Sequence, residues 1–368
     1  MDYKKLLQKI IEKERKNALQ IGVAFPYNET NGVFATVPSN AWTNGYYPGL
    51  MWLSYLASGE EIFKDTAIKL EEKLDEVINS FTMPGHDVGF VWLLSSGIHN
   101  TIEKNQDSRR RLLNMASYLA GRFNIKGNYI RAWDCEDGNV EIPMRAIIDC
   151  MMNIPLLFMA SDITGDPRYS HIAKAHADTT IKYFIDSDGA VRHVCRFNPH
   201  TGEFIEAIGG QGYSPVSSWS RGASWAIYGF AMAYRYTSDK KYFETAIKVA
   251  KFFVSNIQGD FVPAWDFRAP NKEIKDTSAG AIAASGLIEI YSHTKDEYYK
   301  NQAEKIIASL SENCMSPEDS QSILQRATAF FGANENVEAG LIYADYYFTE
   351  AVYKLASGNL NPPWEYEK

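Results

Sequence analysis

Cysteine is scarce in this 368-residue chain: Cys135, Cys150, Cys195 and Cys314 lie far apart and form no CxxC pair. That spacing argues against a disulfide-framed scaffold and a paired-cysteine zinc site, and the thiols read as reduced and structural. HExxH is missing too, and His171 and His176 stand at the wrong spacing for one metal face, so neither a catalytic metal nor a cofactor is expected. No GKS or GKT follows the glycines at 209, 210 and 212, which leaves a turn rather than a phosphate loop. No GxSxG occurs, which argues against an elbow-serine hydrolase. No apolar run reaches membrane-spanning length, and MDYKKLLQKIIEKERKN at the start lacks the apolar core of a signal peptide, so a cytoplasmic protein without a membrane partner is expected. Basic runs are absent beyond Arg109-Arg110-Arg111 and the net charge is −8, which argues against nucleic acid. Strand signals are few; VRHVCRF at 191–197 and the following NPHTGEF read as a hairpin within a long loop.

Aromatics are in surplus instead, with 22 Tyr, 19 Phe and 8 Trp, which suits a large core, a sugar-binding cleft, or both. A weak repeat runs through the chain: SGEEIF at 58–63, TGDPRY at 164–169, TSDKKY at 237–242 and TKDEYY at 294–299. Each follows an apolar helical run and opens a polar one, as the turn of an αα-hairpin does. Outer amphipathic helices are expected over 3–20, 62–80, 107–122, 168–185, 240–257 and 297–312. Inner apolar ones are expected over 43–57, 87–102, 144–161, 220–236, 278–292 and 345–356. Six of each in alternation give an all-α fold, an (α/α)6 barrel in a single domain over 1–368. A solenoid would show a more regular period than turns spaced 106, 73 and 57 residues apart.

The apolar stretch Met144–Ala160 carries Asp149, with Arg145 one turn before and Asn153 one turn after on the same helical face. A carboxylate there is costly unless paired or put to use. An Arg145–Asp149 ion pair is the structural alternative. In a closed ring the starts of the inner helices converge at one mouth, and Asp87, otherwise an ordinary N-cap, becomes the second acid of a pair there. Two acids in unlike surroundings hold different protonation states, as glycosidic chemistry requires. Arg221 between Trp219 and Trp225 suits a carboxylated sugar, although an arginine stacked on core tryptophans fits equally well. Trp42 and Trp133 have the same two readings. His86, His193 and Gln211 are weaker candidates.

HDVGF (86–90), RAIIDCMMNIPLL (145–157), WSRGASWAIYGF (219–230), WDFxAP (265–270), DTSAGAIAASGL (276–287) and DYYFxEA (345–351) together resemble glycoside hydrolase family 88, the unsaturated glucuronyl hydrolases. The resemblance spans about Trp42 to Ala351 and implies an (α/α)6 barrel. It implies release of a 4,5-unsaturated uronic acid from the non-reducing end of lyase-generated oligosaccharides of glycosaminoglycan type, by hydration of the vinyl ether. It implies Asp149 as general acid/base and Asp87 as the second essential carboxylate. Trp42, His86, Trp133, His193, Gln211, Trp219, Arg221 and Trp225 are implied in substrate binding. Burial should raise the Asp149 pKa, a nearby Asp87 should raise it further, and Arg145 should point elsewhere. Relatives that favour sulfated substrates carry serine and lysine before the last inner helix; NENVEAGLIYADYYF here has neither, so an unsulfated substrate is expected. An unsaturated rhamnogalacturonyl hydrolase acting on pectin fragments, an inverting glycosidase, and a non-catalytic scaffold or sugar-binding module are the rival readings.

Overall fold

The computed structural model describes residues 1–133, 144–257 and 259–365. The outer helices are α1 (Tyr3–Gln20), α3 (Glu61–Lys73), α5 (Gln106–Gly121), α7 (Pro167–Phe184), α9 (Lys240–Asn256) and α11 (Glu297–Asn313). The inner ones are α2 (Tyr46–Ser58), α4 (88–103), α6 (Pro155–Thr164), α8 (Ser220–Thr237), α10 (Thr277–Thr294) and α12 (Ile342–Ser357). Helix α12 packs against α2, and α1 packs against both, so the ring closes into an (α/α)6 barrel. Sequence sorts the two layers. In α10 every residue from Thr277 to Ile290 is buried, whereas α9 buries a stripe that includes Tyr242, Ala246, Val249, Ala250 and Phe253. Among the described residues no helix is long and apolar enough to cross a membrane.

The four repeated turns share one mechanism. Gly59, Gly165, Ser238 and Lys295 adopt left-handed backbone, and each donates its N–H to the carbonyl four residues back, at 2.7–2.8 Å. The residue before each has a hydroxyl (Ser58, Thr164, Thr237, Thr294) that accepts from the N–H two residues on, at 3.1–3.2 Å. That later residue is Glu60, Asp166, Asp239 or Asp296, and the three aspartates cap the next outer helix with their side chains. Such a cap contributes about 1 kcal/mol. A fifth turn, Lys104-Asn105, uses the same left-handed stop with an asparagine cap.

Several boundaries differ from the sequence reading. Residues 144–161 are not one helix: Arg145–Ile147 is a strand, Ile148–Met152 a 3-10 turn, and α6 starts at Pro155. Proline belongs in a first helical turn and disfavours helix in the residue before it, and the β-branched Ile147 and Ile148 fit an extended chain. The strand pairs antiparallel with Val194–Phe197, which pairs with Phe204–Ile208, so the expected hairpin gains a third strand. Arg145 and Asp149 therefore do not share a helix face and form no ion pair. The expected helix 62–80 breaks at Leu74 before a short turn, Asp75–Ser80, and α4 contains a π-turn at Leu93–Gly97. A hairpin of Phe25–Thr30 with Val33–Val37 was not expected, although Asn31-Gly32, both left-handed, is a strong hairpin signal.

The ring is latched where α1 meets α12. The Lys13 ammonium donates to the carbonyls of Pro317, Ser320 and Ser322 at 2.7–2.8 Å. Beneath it lie two buried acids. Burial, and then the charge of Asp345, raise the Glu14 pKa to about 8; burial raises Asp345 to about 8. Both Asp345 oxygens already accept backbone N–H groups, from Ile323 and Leu324, so the proton rests on Glu14. An unfolded glutamate titrates near pH ~4.3. Between there and about 8 the folded chain therefore binds more protons than the unfolded one, and stability falls as pH rises through that window. Glu14→Gln is expected to raise the thermal midpoint relative to wild type at about pH 9 and much less at about pH 5. Equal differences at the two pH values would refute the assignment.

Candidate active site

The starts of the inner helices and the long loops before them enclose a cavity of about 440 Å³. Its wall includes Trp42, His86, Asp87, Trp133, Asp149, His193, Gln211 and Arg221 from the sequence reading. It also includes Arg145, Ile147 and Phe330, which sequence reasoning did not place there. Asp87 occupies the position before the first turn of α4 but makes no capping hydrogen bond. Its side chain turns to other partners.

One amide joins the two acid-bearing segments. Asn153 Oδ1 accepts the Phe90 N–H at 2.8 Å, which orients the side chain. Its Nδ2 then donates to Asp87 Oδ1 and to the Asp149 carbonyl, each at 3.2 Å. Helix α4 approaches so closely that a Cβ on Gly89 would lie 2.4 Å from Asn153 Cα, so glycine is required for the clamp to form.

The two carboxyl groups stand in unlike surroundings. Burial, and then the charge of Asp149, raise the Asp87 pKa well above the carboxylate range. Its nearest imidazole, His86, lies 3.3 Å away but is almost fully buried, and burial pushes its pKa down to about 3, so it stays neutral. Burial also acts to raise Asp149, but the close approach of His193 and the charge of Arg221 outweigh it and the net shift is downward. His193 Nδ1 accepts the Gln211 N–H at 2.8 Å, so the ring carries its proton on Nε2, 3.6 Å from Asp149 Oδ2. The left-handed Gly210 lets that loop lie against the imidazole; a Cβ there would sit 2.2 Å from Nδ1. The expected raised pKa of Asp149 is thus corrected: at rest the proton of the pair belongs to Asp87.

Arg221 lies 2% exposed, stacked on Trp219 with its guanidinium carbon 4.4 Å from the ring centroid. It donates to Asp276 at 2.9 Å and to the carbonyls of Thr328 and Ala329. Of the two readings of this arginine, the geometry fits a charge tied into the wall, reaching the cavity as a field as much as a donor. Trp219 stands behind His193, ring centroids 4.4 Å apart. Trp225 is fully buried against Phe90 and Tyr347. Neither tryptophan is among the lining residues, so both stand as supports behind the wall rather than as faces open to a sugar. Trp42 packs on Tyr343 and Phe90, and Trp133 is 38% exposed at the open end. Cys135 lies outside the described residues; Cys150, Cys195 and Cys314 are free and buried.

A helical barrel with an acid pair in its mouth is the architecture of a class of glycoside hydrolases. The model of Glycosyl Hydrolase Family 88 matches residues 23–356, and the chain belongs to that family. It is 35% identical to an unsaturated glucuronyl hydrolase of Formosa agariphila, over 86% of this chain and 80% of the relative. It is 31% identical to an unsaturated chondroitin disaccharide hydrolase of Streptococcus pneumoniae, over 95% and 90%. The crystal structure of the Bacillus sp. GL1 unsaturated glucuronyl hydrolase, described as responsible for glycosaminoglycan degradation, superposes with a TM-score of 0.95 at 29% identity, covering 100% of both chains.

The opposite shifts of the pair are directly observable. Near neutral pH the infrared difference between wild type and Asp87→Asn is expected to show a protonated-carboxyl band lost in the variant, beyond the band that Glu14 gives in both. In Asp149→Asn the Asp87 band should titrate at lower pH than in wild type, because the charge that raises Asp87 has gone. A band lost in Asp149→Asn and kept in Asp87→Asn would reverse the assignment.

Proposed function

We propose that this glycoside hydrolase releases a 4,5-unsaturated uronic acid from the non-reducing end of lyase-generated glycosaminoglycan-type oligosaccharides, with Asp149 as general acid/base. The observation that carries the reading is the pair of carboxyl groups, Asp87 and Asp149, on the wall of one cavity with the Asn153 amide joining their segments. Paired acids pushed apart by environment mark acid/base roles. The named relatives act on unsaturated uronyl sugars, which favours this substrate class over pectin fragments or saturated glucuronides.

The chemistry follows from where the proton is held. Asp149 donates a proton to C4 of the vinyl ether, and positive charge develops at C5 and the ring oxygen. Water adds at C5 while giving its proton to Asp149, so the acid is restored within the cycle. The hemiketal at C5 opens, the glycosidic link is lost, and the second sugar leaves with its hydroxyl intact. No bond to the enzyme forms. Before the first turnover Asp149 must gain a proton. A bound uronate brings a negative charge and excludes water, and both raise a neighbouring carboxyl. The bound substrate thus favours the protonated Asp149 that donation requires. His193, hydrogen-bonded to Gln211 and facing Asp149, stabilises the carboxylate formed after each donation.

Activity is read as loss of the ultraviolet absorbance of the conjugated C4=C5 bond. Asp149→Asn should lower kcat by about 10²–10⁴-fold. In Asp87→Asn the alkaline limb of kcat/KM should move to lower pH, because the raised group that stores the proton is gone and His193 and Arg221 hold Asp149 down. Cleavage of saturated glucuronides, or unchanged double-bond loss in Asp149→Asn, would sink the reading.

A further inference from the structure

The cavity has two arginines, and they are not equivalent. Arg221 is committed to Asp276 and to two carbonyls, and only 2% of it is exposed. The Arg145 side chain makes no hydrogen bond or ion pair among the described residues, and its Nε is buried without an acceptor. Arg192 and Arg196 also leave Nε unbonded, yet each pairs elsewhere on its guanidinium, with Asp186 and Glu206. In a chain with 45 acidic and 37 basic residues, an arginine on the wall of a cavity whose side chain has no partner among the described residues calls for a ligand.

Its position indicates which part of a substrate it meets. Arg145 and Ile147 are alternate residues of one strand, Asp149 lies in the 3-10 turn that follows it, and all three line the same cavity. The Arg145 guanidinium carbon lies 5.9 Å from the ring centroid of Trp133, the most exposed tryptophan of the wall, so this end is the mouth. A sugar whose C4 reaches Asp149 places the next sugar outward, beside Arg145 and Trp133. An indole face suits a pyranose ring, and a planar guanidinium fork suits a carboxylate or sulfate.

We propose that Arg145, with Trp133, forms the subsite for the second sugar, the one released, and selects a negatively charged substituent on it. This rests on the function proposed above. It also separates anion recognition from residues 334–348, where no serine or lysine stands.

The test compares wild type, Arg145→Gln and Arg145→Lys on unsaturated chondroitin disaccharides without sulfate, with 4-sulfate and with 6-sulfate, and on unsaturated digalacturonate as the carboxylate arm. Wild type should favour at least one anionic arm over the unsulfated one. Arg145→Gln should shrink that ratio about tenfold, through KM, as expected for a lost charge-assisted hydrogen bond. Arg145→Lys should retain part of it, and added salt should erode the preference in wild type. Calorimetric titration of the same disaccharides into Asp149→Asn, with and without Arg145→Gln, reads affinity without turnover and reports folding of each variant through its binding stoichiometry. A ratio unchanged by Arg145→Gln in both assays, or no anionic preference in wild type, overturns the proposal. Absence of double-bond loss on every arm while the titration still shows an Arg145-dependent preference would instead overturn the proposed reaction and leave the subsite standing.

Discussion

The geometry of the site depends on a single side-chain amide. Asn153 is the point where the 3-10 turn that carries Asp149 meets the first turn of α4, and its three hydrogen bonds join a backbone N–H, a carboxyl and a carbonyl. Because the Phe90 N–H can only donate, the amide has one orientation, and its N–H₂ end must face the acids. A carboxylate at this place would repel Asp87, and an alkyl group would leave the Phe90 N–H without a partner in a buried site. The two acids are thus held by different elements yet fixed relative to each other, with Gly89 providing the contact distance.

The proton asymmetry follows from what stands behind each acid. Asp87 backs onto His86, whose ring stays neutral because it is buried, so desolvation and the Asp149 charge outweigh the Asn153 hydrogen bond and the charge of Arg122. Asp149 faces His193 and lies within the field of Arg221. The aromatic floor formed by Trp42, Tyr46, Phe90 and Tyr343 keeps water from the back of both groups. In that low-dielectric setting a nearby positive group shifts a carboxyl further than it could at the surface. Two carboxyl groups on separate segments are therefore held in opposite protonation states, and what lowers Asp149 comes from His193 and Arg221, distant in the chain.

The helical frame was legible because its signals are local. A hydroxyl, a left-handed residue and an acidic cap recur at 58–60, 164–166, 237–239 and 294–296, and each residue acts within one turn of itself. Layer order was legible for the same reason, since burial pattern and period coincide in α9 and α10. The segment 144–154 was misread because apolar composition alone does not separate a buried strand from a buried helix. Pro155 was the mark that separated them. Trp225 and Trp219 were read as sugar faces because spacing along a helix shows which residues are neighbours but not which side of the wall they occupy. Arg145 was expected to point away from Asp149, but its place in the cavity wall depends on strand pairing with Arg196, 51 residues away, which nothing local announces.

A negatively charged protein acting on a negatively charged sugar must attract it by local rather than global charge. With a net charge of −8 the long-range field opposes association, and screening over about 8 Å at physiological salt makes the nearest groups decide. Arg221, neutralised by Asp276, contributes less net charge to the cavity than its position suggests. Asp87, protonated at rest, withholds a negative charge that would otherwise repel the ligand. Storing the proton on Asp87 therefore serves two ends at once. It keeps an acid equivalent beside Asp149, and it leaves the resting cavity with one carboxylate instead of two when an anionic sugar arrives. If both were ionised, the site would repel its ligand before any proton could move.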